Sequence, residues 1–367
     1  MNFGFTEEQE LLRDQVRRFM REACTMQKVR VLAKEQHGFD AELWKQVADL
    51  GWLGLITPEQ YGGSGLKWID LTVVLEETGR GLSPLPIASQ ILSTAAILKT
   101  GSASHKSDWL PAMADGSAIC SLALYDDPNW IHPDAIQLEG IEADGQVVLN
   151  GAKPFVADAM CADYFLLACK VGDATHLAAL HKDQVKITPQ VPMDLTKPMG
   201  RVVLDNVTVD AEFVLPLARA DLAFLTDCGA VAVTAEMVGA AEQTLAITSD
   251  YAKERRQFGK PIGQYQGVKH RLADIYVDVE SFKSLLYYAA WTVDDAPDEL
   301  PRAVSLAKGY ASDAFARIGI DGVGLHGAIG FTAEYDIQLY LKRSKWARPM
   351  FGDSDYHLDR VATLGGL

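Results

Sequence analysis

The sequence predicts an α+β fold in three consecutive segments: an N-terminal helical domain (1–115), a middle β-domain (116–218) and a C-terminal four-helix bundle (219–367). Three observations carry this expectation. Apolar residues recur at three- and four-residue steps in both outer segments, as amphipathic helices require. The middle segment instead breaks into short β-rich runs separated by turn residues. A length of 367 residues also exceeds what one hydrophobic core usually serves.

Taken in order, Thr6 with Gln9 three residues later fits a capping box, and Glu7 and Glu8 suit the first turn of a helix. Leu11, Leu12, Val16 and Phe19 then follow at helical spacing. Asp40 is the expected cap of a second helix in "FDAELWKQVADLGWLGL", and the glycines of "PEQYGGSG" interrupt the chain. A further helix through "WIDLTVVLEETGRG" stops where Gly81 and Pro84 cannot continue it. The middle segment offers "SAICSLALY", "GQVVLNG", "DYFLLACKV", "HLAALH", "QVKITPQ" and "GRVVLDNVTV" as strands, with Asp144-Gly145 as a hairpin turn. Beyond 219 a long helix runs through "AVAVTAEMVGAAEQTLAITSDYAKERR". The next carries a seam of Tyr265, Val268, Leu272, Ile275, Val279, Phe282, Leu286 and Ala289, spaced for packing along another long helix. A third begins near Pro301 and ends in "GIDGVGLHGAIG".

A formal net charge of −15 argues against nucleic acid or an anionic membrane surface as the main partner, because both need a basic face. Five cysteines without metal-ligand spacing or a CxxC pair read as idle thiols in a reducing cytoplasm, and no metal site is expected. The polar start "MNFGFTEEQELLRD" fits neither a signal nor an anchor. No apolar run is expected to supply the roughly 20 residues of a membrane span.

Chemistry gathers at "YAKERRQFGKPIGQYQG" (251–267). Arg255 and Arg256 at a helix C-terminus are explained as charges that complement the dipole, worth roughly 0.3–1 kcal/mol. That leaves Phe258, the Gly-Lys-Pro turn and the glutamines unexplained. An arginine fork beside an aromatic and amide donors suits a ligand with phosphates and a ring system. Here the sequence resembles the acyl-CoA dehydrogenase family, whose Arg-x-Gln-Phe-Gly run and later Gln match Arg255, Gln257, Phe258, Gly259 and Gln266. A second family signature matches "LHGAIGFTAEYDIQLYLKR" (325–343).

The resemblance covers the whole chain and implies the same helix–β–helix order, FAD as cofactor and an acyl-CoA thioester as substrate. It also implies electron-transfer flavoprotein as acceptor, and an oligomer in which Arg255, Gln257, Phe258, Gln266 and Gly327 reach a neighbouring chain's flavin. Departures accompany the matches. Gly324 stands where a Gln is usual, and Ala328 replaces a second Gly. Asp126 and Asp127 before Pro128 stand where the family has a Thr-Glu pair on the first β-strand, so a negative charge is expected there as a poor substitute for a hydroxyl donating to the flavin edge. Phe155 is expected as the flavin's aromatic wall, while Ala157 replaces a threonine hydroxyl. Losing such a hydrogen bond costs about 0.5–1.5 kcal/mol.

The family's α-proton base is usually a Glu in a Tyr-Glu-Gly-Thr-Ser turn. In "RPMFGDSDYHLDR" (348–360) that turn falls on Met350 to Ser354, with Phe351 at the Glu position. The alternative base position, on the helix before the arginine signature, is Gly229, two residues from Asp227. Asp353 is the nearest carboxylate. It is either a cap on the last helix or a displaced base. Asp355, His357 and Asp359 are expected on the solvated start of that helix.

The resemblance leaves three readings. One is a Glu-lacking subunit paired with a paralogue, as in heteromeric bacterial members. Another is a self-sufficient flavoenzyme, using Asp353 or chemistry such as desulfination that needs no α-proton base. The third is a non-enzymatic acyl-CoA-binding protein.

Overall fold

The computed structural model describes residues 5–35, 38–127 and 131–366. Helices α1 (Glu7–Ala23), α2 (Met26–Leu32), α3 (Ala41–Asp49), α4 (Trp68–Arg80), α5 (Ile87–Thr100) and α6 (Ala103–Ala114) come first. Strands β1 (Cys120–Ala123), β2 (Glu139–Ala143), β3 (Gln146–Ala157), β4 (Tyr164–Val171), β5 (Ala174–His181), β6 (Lys186–Gln190), β7 (Met199–Asp210) and β8 (Val214–Pro216) follow. Then come α7 (Arg219–Glu254), a short hairpin of β9 (Arg256–Gln257) and β10 (Lys260–Pro261), α8 (Gln266–Asp295), α9 (Leu300–His326), α10 (Ile337–Ala347) and α11 (Ser354–Leu364).

Packing groups these elements into two units. One comprises Met1–Val29, Thr72–Ser83 and Ala230–Leu367; the other comprises Arg30–Leu71 and Pro84–Gly229. The three-segment expectation divides the chain by element type, whereas the units divide it by contact, so α4 and α7 each run through both.

The local signals form as written. Thr6 and Gln9 complete the capping box of α1, and the Asp40 carboxylate accepts the Leu43 N–H at 2.9 Å to start α3. Asp144 (φ 50°) and Gly145 (φ 81°) make the left-handed two-residue turn that joins β2 to β3. The eight-stranded sheet runs β6-β7-β3-β2-β4-β5-β8, with β1 parallel to β4. The strands β2 and β8 were not signalled by the β-rich runs. Both are short, and β2 is exposed at four of its five positions, so it lacks an alternating apolar pattern.

In the other unit, α4 and α7 touch backbone to backbone. A Cβ on Gly239 would fall on the Glu76 carbonyl, and one on Gly79 would fall on the Glu236 carbonyl. Glu76 and Glu77, buried beside this crossing, are paired: Arg13 reaches Glu76 at 3.0 Å, Arg17 reaches Glu77 at 2.7 Å, and Arg80 reaches Glu77 at 3.2 Å.

Two expectations are corrected. By length and composition α7 is apolar enough to cross a membrane, but 89% of its apolar stretch is buried inside the protein, where helix packing uses that surface. The seam on α8 is buried at Ile275, Val279, Phe282, Leu286 and Ala289, whereas Tyr265, Val268 and Leu272 are only half-buried. The first turns of α8 therefore extend beyond the packed part of the bundle. Substituting Gly239→Ala should destabilise the chain by at least about 1–3 kcal/mol through overpacking. Phe282→Ala should cost about 3–5 kcal/mol through the cavity it leaves. Urea unfolding at unchanged m-value measures both.

Candidate functional site

Arg255 closes α7, its N–H donating to the Tyr251 carbonyl at 2.8 Å, and its own carbonyl accepts the Ile262 N–H at 2.8 Å. Between these points β9 and β10 pair through a turn formed by Phe258 (φ 50°) and Gly259 (φ 84°). Both residues are left-handed, the geometry of a tight hairpin, which suits glycine and strains phenylalanine. At the tip of the hairpin the ring projects outward, and Phe258 is 93% exposed. The Tyr265 hydroxyl braces the turn by donating to the Gln257 carbonyl at 2.9 Å, and the Lys260 ammonium sits 4.3 Å over the Tyr265 ring. Gln257 and Gln266 lie exposed on either side of the turn, and among the described residues no ion pair engages the Arg255 guanidinium. A guanidinium, an aromatic face and two amides are thus presented outward.

The glycine-rich loop is tied to this hairpin. Gly327 follows α9 at φ 65° and ψ −142°, a conformation that only glycine tolerates. The preceding His326 is buried, with Nδ1 2.7 Å from the Gly322 carbonyl, and its ring stacks on Tyr251 at 4.4 Å. The Tyr251 hydroxyl donates to the His326 carbonyl at 3.2 Å. Burial lowers the pKa of His326, so the ring stays neutral. Tyr251 lies one turn before Arg255, so this stack joins the two signatures. Sequence reasoning missed it. The signal was there, since a histidine directly before a glycine in an apolar helix needs a buried partner.

In the sheet-containing unit, Phe155 sits in a β-bulge where the β3–β7 register slips between Lys153 and Val156. Its φ of 54° turns the ring 47% outward, while its N–H donates to the Gln190 side chain at 2.7 Å. Bulges re-aim side chains in this way. Asp126 does not stand as a bare charge. The buried Lys153 ammonium donates to its carboxylate at 2.8 Å and to the Leu124 carbonyl at 3.2 Å. The same carboxylate accepts the Gln137 N–H at 2.7 Å, while its other oxygen, Oδ1, is buried without a donor among the described residues. Ala157 offers its carbonyl to the Ser121 hydroxyl at 2.7 Å. Pro128 lies outside the described residues.

The Arg348–Arg360 stretch resolves into a turn and a cap. The Asp353 carboxylate accepts the Tyr356 N–H at 3.0 Å and starts α11. Phe351, half-buried, stands at φ 55°. Asp355 and Asp359 are exposed, but His357 corrects the expectation of a solvated face. It is fully buried, with Nε2 3.0 Å from the Phe351 carbonyl and Nδ1 3.2 Å from the Ser305 hydroxyl. It packs against Gly309 of α9, where a larger residue would crowd it. Burial and the nearby Lys308 push its pKa down to about 3. Asp227 is buried along α7, and Gly229 holds no side chain to act.

The thiols of Cys120, Cys161 and Cys169 are pushed up by burial, so none is a ready nucleophile. Among the described residues no group of three His, Cys, Asp or Glu is placed to hold a metal ion. The outward hairpin and the open space above Gly327 fit a large ligand with phosphates and a ring.

Comparison with known proteins bears on that ligand. The family models for the acyl-CoA dehydrogenase N-terminal and C-terminal domains match residues 6–117 and 225–364. The acyl-CoA dehydrogenase IpdE2 of Mycolicibacterium smegmatis is 30% identical over 97% of this chain and 98% of its own. Among solved structures, the Tcur3481-Tcur3483 steroid ACAD superposes with a TM-score of 0.89 at 28% identity, covering 98% of each chain. The ChsE4-ChsE5 complex of Mycobacterium tuberculosis superposes with a TM-score of 0.92 at 26% identity, covering 100% of this chain and 99% of that one.

One titration follows from the terminal turn. With its pKa lowered to about 3 against 6.5 when unfolded, His357 binds a proton in the unfolded chain before it does in the folded one. Its contribution is therefore complete above pH 6.5 and is lost as pH falls towards 3. Replacing His357 by Gln should flatten the acid limb of the stability curve across that window, read from urea midpoints at each pH.

Proposed function

The chain belongs to the acyl-CoA dehydrogenase family, and from that premise we propose that it is the subunit without the catalytic glutamate in an assembly that oxidises the Cα–Cβ bond of an acyl-CoA thioester. FAD is the family's cofactor and, when bound, takes up the hydride that leaves the β-carbon. A carboxylate must remove the α-proton in the same reaction. The observation that carries the proposal is the turn at residues 350–354. On the family resemblance the base would fall at Phe351, and Asp353, the nearest carboxylate, is engaged in capping α11.

This chain's share of the work is then binding. Arg255, Gln257, Phe258, Gln266 and Gly327 stand where they would hold a flavin from across a subunit interface, and their outward presentation supports that role. Phe155, turned outward by its bulge, would wall the chain's own flavin site. The opposing departures at Asp126 and Ala157 leave that site fewer hydroxyl donors. A shared flavin and a paralogous partner bearing the glutamate fit this division. The likeness to one chain of a two-protein complex and to a steroid ACAD supports a heteromer acting on a bulky acyl group. In this reading electron-transfer flavoprotein is the acceptor and the compartment is the cytoplasm, which suits five free cysteines.

Arg255→Ala should remove a charge-assisted contact of about 1.5–3 kcal/mol and deplete FAD from the purified assembly. Unchanged flavin content with normal assembly would reduce Arg255 to a helix-end charge. The chain alone, supplied with FAD, should show little flavin bleaching with a panel of acyl-CoAs, and a Glu-bearing paralogue should restore it. A positioned base contributes about 10²–10⁴-fold, so the contrast is large. Fast bleaching by the chain alone that Asp353→Asn abolishes would transfer the role of base to Asp353.

A further inference from the structure

The turn that carries Phe351 is held more firmly than a chain reversal requires. Lys308, fully buried in the middle of α9, donates from Nζ to the carbonyls of Arg348 at 2.8 Å and Gly352 at 2.7 Å. Its third contact is the Ser312 hydroxyl at 2.9 Å. His357 supplies the bond to the Phe351 carbonyl. Two buried side chains, from α9 and α11, thus bind three backbone carbonyls within five residues.

Every group in this clamp is satisfied. Burial lowers the pKa of Lys308 to about 7. The ammonium has three donors for its three partners. The neutral amine keeps two for the carbonyls and a lone pair for the Ser312 hydroxyl. Neutral His357 donates from Nε2 to Phe351 and accepts from the Ser305 hydroxyl at Nδ1.

Inside the clamp, Phe351 and Gly352 are both left-handed, at φ 55° and 98°. Gly352 has no alternative, since a Cβ there would meet the Tyr356 ring and the His357 imidazole. Phe351 has one, because glycine at that position would remove the strain. A buried lysine is likewise a costly choice, because an apolar residue of similar volume is often neutral or stabilising in its place. A fold that needed only a turn would contain neither. Strain held by a fully satisfied polar clamp marks a side chain whose location matters.

We infer that Lys308 and His357 are positioning residues: they fix the backbone of residues 348–353 so that the side chain at 351 leaves it from one place, whatever that side chain is. This rests on the reading above in one respect, that position 351 is the counterpart of the family's base. On that reading the platform for a base is present in a chain that carries Phe there.

The first test is hydrogen exchange on the full FAD-loaded chain, comparing the parent with Lys308→Met and His357→Gln. Exchange across residues 348–357 should rise at least roughly tenfold in each, with α7 and α8 unchanged. Unchanged exchange in the turn overturns the clamp. If Lys308→Met fails to fold, His357→Gln carries the same comparison. The second test installs Phe351→Glu and follows flavin bleaching by the acyl-CoA panel. Bleaching should appear. Adding Lys308→Met should then lower its limiting rate about tenfold or more at unchanged half-saturating acyl-CoA and FAD content. An unchanged limiting rate overturns the positioning role. If Phe351→Glu gives no bleaching while exchange in the clamp variants rises as expected, the clamp stands and the reading of position 351 is overturned.

Discussion

The contact of α4 with α7 at Gly79 and Gly239 is the constraint from which much of its unit follows. Two helices whose backbones touch have no room for side chains at the crossing, so the neighbouring long residues are forced to its flanks. Glu76 and Glu77 lie there, buried, with Arg80 half-buried beside them, and Arg13 and Arg17 from α1 are drawn in to pair with the glutamates. The crossing also sets the axial position of α7. Tyr251 lies twelve residues beyond Gly239, or about 18 Å further along the helix at ~1.5 Å per residue. What that end of α7 delivers, the Tyr251–His326 stack and the Arg255 hairpin, is placed by a contact far from it.

Three phenylalanines, Phe155, Phe258 and Phe351, adopt positive φ, and each stands at a position singled out for function. A left-handed residue turns its side chain away from the course of the chain, which no ordinary rotamer of an extended or helical residue achieves. Such conformations cost of order 1–3 kcal/mol each and persist only where the surroundings over-determine them. The surroundings differ in each case: a bulge bonded to Gln190, a hairpin braced by Tyr265, and a turn clamped by Lys308 and His357. Aromatic placement by strain is the common device.

Much of the fold was legible because it is encoded locally. Thr6 with Gln9, Asp40, and Asp144-Gly145 are short-range signals whose partners lie within three residues, and all three act as their chemistry requires. The end of the packed seam on α8 was not legible, because Tyr265, Val268 and Leu272 are spaced like the buried residues that follow them. Periodicity reports which face is apolar and is silent on whether anything covers it. The same limit applied to charge. Asp126 reads as a lone negative residue until Lys153, distant in sequence, is folded beneath it, and His357 reads as solvated until α9 packs over it. Polar residues at the site owed their state to long-range partners, which no spacing rule reveals.

The Lys153–Asp126 pair constrains how this chain can drift. The ammonium is wholly buried, and its burial lowers the pKa, so its charge depends on the carboxylate beside it. Changing either residue alone strands the other in a low-dielectric interior, at a cost of about 3–5 kcal/mol that rivals the entire stability of many domains. Changing both to apolar residues of similar volume is tolerable. The route to a hydroxyl at position 126 therefore cannot be a single step. Any descendant that gains one must first find a new occupant for the space under the strand end, and until then the two positions are inherited as one character.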